Sequence, residues 1–367
     1  PLVDGEGEAG VDRLLADAER SIESIETMRG RIGELDAAGL AGVMRDAAAV
    51  SDALGRAGSW VSLRFSVDTA DPALGAAMQR FQERAAMLST RTLFLELEWA
   101  DVPDERAAEL LRSEDLAFCR WYLESMRRYR PHLLTEPEER ILAEKDVTGG
   151  SAWSRLFDEL TSAIVVDLPD GPTSLEQGLS RLGSPDREER RTAAEAVTAA
   201  LQPGLRTRAY VFNTLMGDKS TDDRLRSYGS WIASRNLSNE ASDESVAALV
   251  DSVVARYDIP QRWYRLKAQL LGVDRLADYD RMASVAAVDE EFTWSAATSV
   301  VLDAYGSFSG ELADGVQRFL DEGWIDAPVR PGKRPGAFCA YTVPSAHPFL
   351  LLNWTSRRRD VLTLAHE

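Results

Sequence analysis

The chain has 367 residues, 44% of them apolar and 28% charged, with a net charge of −18. That length supports a large core and two or three helical subdomains, and the composition is that of a globular protein rather than a low-complexity chain. So acidic a chain repels phosphate backbones, which excludes nucleic acid as the expected partner. Cys119 and Cys339 are far apart and give no disulfide framework, as expected in a reducing cytoplasm. Residues 1–10 lack a basic region followed by an apolar core and do not read as a signal peptide.

Residues 1–8 form an acidic, Gly-containing lead that is expected to be mobile. From about Gly10, residues Val11, Leu14, Leu15, Ala18, Ile22, Ile25, Met28, Ile32 and Leu35 recur at helical spacing. Leu40, Val43, Met44, Ala47 and Val50 mark a second helix, expected to end at Gly55 and Gly58 and to leave 63–68 as a short extended or frayed link. Asp71-Pro72 opens a third, striped by Leu74, Ala77, Met78, Phe81, Ala85, Leu88 and Leu95. Three long helices with short connections predict an antiparallel bundle or an elongated hairpin whose stripes pack on one another.

Pro103 opens a short helix, and Ser113-Glu114-Asp115 starts another that closes near Arg130-Pro131, because proline restricts the residue before it. Helices follow over 136–145 and around Trp153, Leu156, Phe157 and Leu160. Residues 164–168 are β-branched and predict a short strand before a Pro169-Asp170-Gly171-Pro172 turn, and 169–183 is the candidate boundary. Ser184-Pro185-Asp186 starts a helix that pauses near Pro203 and resumes to about Met216. Ser242-Asp243-Glu244 starts another, which Pro260 breaks or kinks before it continues to Gly272, and two more span 293–305 and 309–320. The 22-residue run 335–356 carries no charge, but Pro344, His347, Pro348 and Asn353 interrupt it. It predicts two short strands and a turn, not a membrane span. The chain therefore reads as mainly α with a small β element near 336–353.

The candidate chemistry lies at the end of the chain. Thr355 or Ser356 can cap a final helix, Asp360 sits in its early turns, and Leu362 lies one turn before His366 on the same face. His366-Glu367 are the first two letters of an H-E-x-x-H motif. In that motif two His at i and i+4 share one helix face and one zinc, and the Glu beside the first ligand reaches the metal-bound water as general base. The pair also reads as a surface or capped helical dipeptide, and on spacing alone that plainer reading is favoured. His132, after Pro131 at a helix end, reads as a surface or dipole partner, and His347 between prolines as a turn residue. No G-x-S-x-G elbow motivates a Ser/His/Asp triad.

Residues 327–359 contain no Asp or Glu but carry Arg330, Lys333, Arg334, Arg357, Arg358 and Arg359. This basic island can receive the carboxylate of a peptide, or it can pair with acidic surface elsewhere in the chain. Gly336, Ala337 and Phe338 begin a candidate edge strand along which a peptide could add as another strand, with a plain structural hairpin as the alternative.

Several stretches together resemble oligoendopeptidase F, a branch of the thimet-oligopeptidase-like zinc metallopeptidases. They are 330–339, His347-Pro348-Phe349, Leu351-Leu352-Asn353 and 359–367, with Leu142-Ala143-Glu144-Lys145, Ser151-Ala152-Trp153, 235–240 and 323–328 upstream. The resemblance covers most of the chain from about residue 110 on, and the N-terminal helices more loosely. It implies a mostly helical, two-lobed zinc metallopeptidase whose deep cleft admits short unfolded peptides, and the reading of 335–356 as strands and a turn leaves no membrane as a partner. It also implies three parts: an N-terminal long-helix bundle (1–105), a helical N-terminal lobe (106–183) and the first part of the catalytic domain (184–367). Residue by residue, His366 matches the first zinc ligand, Glu367 the catalytic base, and Gly336, Ala337 and Phe338 the strand that borders substrate. The family's second His, its third ligand and its transition-state-stabilising residues fall beyond residue 367. The chain is therefore expected to be part of a longer protein, with the C-terminal part of the catalytic domain absent, and alone to be inactive and without bound zinc. The alternative from another class is a non-catalytic helical relative that binds peptides or a protein partner.

Overall fold

The computed structural model describes residues 2–285 and 291–367. Helix α1 (Glu8–Glu26) buries Val11, Leu14, Leu15, Ala18, Ile22 and Ile25, the stripe that its spacing predicts. Helix α2 (Ala37–Val67) is capped by the Asp36 carboxylate, which accepts from the Gly39 amide, and it packs along α1. The acidic lead is not loose. Leu2 and Val3 are each only 4% exposed. The Leu2 carbonyl accepts from Arg56 Nε at 3.0 Å, so burial and a hydrogen bond staple the lead to α2.

Helix α2 also passes through Gly55 and Gly58, where an end was expected. A glycine inside a helix costs roughly 1 kcal/mol relative to alanine. Here it admits close neighbours: a Cβ on Gly55 would stand 2.4 Å from Val343 Cγ1, and one on Gly58 3.0 Å from the Phe81 ring. Residues 63–67, read as extended or frayed, are helical for the same reason: tertiary packing on both sides overrides local propensity.

Helix α3 (Pro72–Thr90) starts on an Asp71 cap with proline in its first turn. Helices α4 (Leu93–Asp101), α5 (Asp104–Leu111) and α6 (Arg120–Arg127) follow, and one continuous core runs from Val3 to Met126. Trp99 is fully buried in it and donates from Nε1 to the Leu123 carbonyl at 2.8 Å. The helix expected from Ser113 begins only at Arg120. Ser113 instead caps a 3-10 turn, Glu114–Leu116, that drives Leu116 into the core.

Helices α7 (Glu136–Asp146) and α8 (Gly150–Ser162) lead to an antiparallel hairpin of β1 (Val165–Leu168) and β2 (Gly171–Ser174) through the expected turn. Helices α9 (Leu175–Ser180), α10 (Arg187–Leu201), α11 (Leu205–Leu225), α12 (Ala233–Ser238), α13 (Asp243–Val254) and α14 (Asp258–Leu270) follow. The break expected at Pro260 falls at 255–257 instead. Pro260 sits in the first turn of α14, where its missing N–H costs nothing.

Helices α15 (Trp294–Phe308) and α16 (Gly310–Asp321) precede β3 (Ile325–Pro328), β4 (Phe338–Ala340), β5 (Phe349–Trp354) and α17 (Arg358–His366). The uncharged run forms the two expected strands, antiparallel, with Phe338 opposite Leu351 and Ala340 opposite Phe349. Strand β3 carried no strand signal of its own, yet it pairs in parallel on the other side of β5. The order β3-β5-β4 makes β5 central and leaves β4 at an edge. Leu350, Leu351 and Leu352 are accordingly buried, and a second core joins Leu352 to Ala297 and Val301 of α15 and Val361 and Leu364 of α17. The architecture is mainly α with small sheets, as expected. Among the described residues no helix is long and apolar enough to cross a membrane.

Candidate active site at the end of α17

The start of α17 is held by Asp360, the third residue of the helix. Its Oδ2 accepts from the Thr355 amide at 2.7 Å, the Thr355 hydroxyl at 2.8 Å and the Arg357 amide at 3.0 Å. Arg357, not Thr355 or Ser356, is the N-cap residue, because Ser356 is turned into the left-handed region at φ 65°. The carboxylate reaching back to the cap amide is one half of a capping box.

Val361 and Leu364 anchor one face of the helix in the second core, while Leu362 and His366, four residues apart, share the opposite, exposed face. The last turn leaves carbonyls without helical partners. One of them, Ala365 O, accepts from the Tyr305 hydroxyl at 2.7 Å, which ties the end of α17 to α15. No sequence pattern marked Tyr305; it sits on an ordinary apolar stripe, and only the packing of α15 on α17 gives it this part.

The imidazole of His366 is therefore exposed on a rigid helix, with half-buried Glu367 beside it. Burial pushes the Cys339 thiol of β4 above its ordinary range, and the Glu367 charge acts in the same direction. The helix packs against β5, the central strand of the sheet whose edge is β4. Gly336 precedes β4 at φ 83° with open space where a Cβ would be. Its amide donates to Glu176 at 3.3 Å and its carbonyl accepts from Asn353 Nδ2 at 2.8 Å. Ala337 packs against the second core, and Phe338 pairs with Leu351 under the Arg334 guanidinium.

The other histidines are elsewhere. His132 stacks on Tyr228, with ring centroids 3.8 Å apart, and its Nδ1 is 2.8 Å from the Arg226 carbonyl oxygen. His347 lies flat on Trp324 at 3.9 Å, an aromatic role that its reading as a turn residue did not include. A catalytic zinc takes three protein ligands and an open position. Among the described residues no group of three or more His, Cys, Asp or Glu is placed to hold a metal. His366 fits one ligand position by chemistry and exposure; the described residues offer no complete set.

The basic island divides. Arg330 and Lys333 pair with Asp326, and Arg334 with Asp158 at 3.4 Å. Lys333 is buried, so its charge is spent inside the fold. For residues 330–334 pairing with the chain's own acids is what the structure shows.

The family description Oligopeptidase F matches residues 98–165, and Peptidase family M3 matches residues 181–367. Group B oligopeptidase PepB of Streptococcus agalactiae is 27% identical over 304 residues, covering 80% of this chain and 50% of that protein. Oligopeptidase PepF of Bacillus subtilis is 25% identical over 334 residues, covering 87% of this chain and 48% of that protein. The chain thus spans about half the length of the curated relatives it matches. Its fold is similar to that of oligoendopeptidase-F from Enterococcus faecium, with a TM-score of 0.69 at 19% identity over 87% of this chain and 61% of that one. Because the Peptidase family M3 match takes in more than half of its residues, the chain belongs to peptidase family M3.

Proposed function

We propose that the protein is a zinc-dependent endopeptidase that hydrolyses short unfolded peptides, with His366 as one metal ligand and Glu367 as general base. The observation that carries this is the placement of His366-Glu367 at the exposed end of α17, a helix packed against β5 of the sheet that carries the β4 edge, in a chain of peptidase family M3. Zinc, when bound, supplies a Lewis acid and an acidified water. The chain's own residues do the rest. The packed face of α17 and the Tyr305 hydrogen bond to Ala365 O fix the backbone that carries the His366 imidazole. The Glu367 carboxylate accepts the proton of the attacking water. The outer edge of β4, which pairs with no further strand among the described residues and is entered through Gly336, Ala337 and Phe338, offers main-chain hydrogen bonds to an extended peptide, which gives affinity with little sequence preference. Both cysteines are free thiols, which supports a reducing compartment such as the cytoplasm.

The test is hydrolysis of a short quenched fluorescent peptide by the protein produced from its native gene, with and without 1,10-phenanthroline. Activity that is lost with the chelator and restored by zinc supports the proposal. Hydrolysis indifferent to the chelator overturns it, and binding without hydrolysis makes the protein a non-catalytic peptide binder. The 367-residue chain alone, short of ligands among its described residues, is expected to be inactive.

A further inference from the structure

The N-terminal bundle grips the loops on both sides of β4. On the entry side, the turn at 330–334 meets the end of α2. The Arg334 amide donates to the Ser66 carbonyl at 2.8 Å, and the Gly332 carbonyl accepts from the Thr69 amide at 2.8 Å and the Thr69 hydroxyl at 2.9 Å. Ser66 lies in the last turn of α2, whose carbonyls have no partner within the helix, so the 334 amide completes that end. The approach is close: a Cβ on Gly332 would stand 2.9 Å from Asp68 Oδ1, and Gly332 sits at φ 76°, where a side chain is strained.

On the exit side, the loop from β4 to β5 meets the middle of α2. Val343, 8% exposed, inserts against Gly55, and the Ser345 hydroxyl bonds the Asp52 carboxylate. Asp52, Gly55 and Ser66 share one side of α2, since three and eleven residues return to nearly the same helical angle. Residue numbers fall along α2, from 66 to 55 to 52, as they rise along the strand segment, from 334 to 343 to 345. The segment that contains β4 therefore runs antiparallel to α2 and is fixed to it at two points. The strand's own ladder spans only Phe338–Ala340, too short to set its position alone.

We propose that α2 is the rail that positions the β4 edge for peptide binding, and that Asp52, Gly55, Ser66 and Thr69 are positioning residues for that edge. The part about peptide binding rests on the function proposed above; the positioning of β4 does not.

The test compares Gly55→Val with Gly58→Ala in the protein produced from its native gene. Gly58 faces Phe81 inside the bundle, so Gly58→Ala disturbs α2 without touching the loop. Asp52→Asn with Ser345→Ala serves as a milder break of the same grip should Gly55→Val fail to fold. Hydrogen exchange at the amides of 338–340 is expected to speed up at least about tenfold in the Gly55 and Asp52/Ser345 variants and to hold in the Gly58 variant. For peptide hydrolysis, KM is expected to rise about tenfold with kcat within about twofold, because a misplaced binding edge weakens ground and transition states alike. Unchanged exchange at 338–340 in folded variants overturns the rail. Faster exchange with unchanged KM overturns its part in peptide binding. A wild-type protein that hydrolyses nothing counts against the proposed function, while the exchange result still decides the rail.

Discussion

Lys333 Nζ stands 2.6 Å from Asp326 Oδ1 with the lysine side chain fully buried. The same ammonium meets the carbonyls of Asp326 at 3.1 Å, Pro328 at 2.8 Å and Leu352 at 2.6 Å. One buried charge thus ties the end of β3 to the middle of β5, where the ladder between them is irregular. Burial pulls the Lys333 ammonium below its ordinary pKa, with Asp326 opposing. Burial raises the Asp326 carboxyl, yet the bonds from Lys333 and Arg330 outweigh it and hold it below its usual value.

Removing one partner of such a pair leaves a charge and several carbonyls unsatisfied. Lys333→Met is expected to cost about 3–5 kcal/mol in urea unfolding. Lys333→Met combined with Asp326→Asn is expected to cost less than the sum of the two. A loss under about 1 kcal/mol for the single change would show the lysine to be idle.

Asp280 gives a pH dependence. It is fully buried and bonds Arg190 Nη2 at 2.8 Å and Arg187 Nη2 at 2.9 Å. Burial raises its carboxyl, but the two guanidiniums and the Ala277 amide win and bring the pKa from 3.8 to about 2. The unfolded chain therefore takes up the proton first. The stabilisation, about 2 kcal/mol, is complete above pH 3.8 and is lost as pH falls towards 2. Asp280→Asn is expected to be about 3 kcal/mol less stable than wild type at neutral pH. That gap should narrow across this acidic window when urea midpoints are measured as a function of pH.

Tyr305→Phe removes only the hydroxyl that holds Ala365 O. The global cost is expected to be about 1 kcal/mol. The sharper readout is local: amide exchange over the last turn of α17 should rise well beyond what that loss of stability explains. Equal exchange in both proteins would mean that packing by Leu364 alone holds the helix end.

For the proposed reaction, Glu367→Gln keeps the shape of the base and removes its proton affinity. In the protein produced from its native gene it is expected to lower kcat by about 10²–10⁴-fold with peptide affinity little changed. His366→Ala is expected to lower zinc content as well as activity. Retained zinc in that variant would remove His366 from the ligand set.

Much of this protein was determined by local sequence chemistry. Helical spacing located α1, Asp71-Pro72 placed the start of α3, and Thr293 and Ser309 cap the helices expected after them. The uncharged run with its three prolines became the two strands it predicted, because turn residues act within a few positions. Asp360 likewise sits where a helix start needs a carboxylate.

What only the tertiary structure decided lay between residues distant in sequence. Gly55 reads as a helix end until Val343 is seen packed against it. Ile325–Pro328 carries no strand pattern and becomes a strand because β5 offers a free side and Lys333 closes the joint. For Arg330, Lys333 and Arg334 the basic island kept two readings until Asp326 and Asp158 were found beside them. The end of α17 could be read as a His-Glu pair on a helix, but not as one packed on a sheet whose edge strand is flanked by loops bound to α2. Spacing reports which residues share a face; which face meets which is set by burial and by hydrogen bonds over hundreds of residues, and these exist only once the chain has folded.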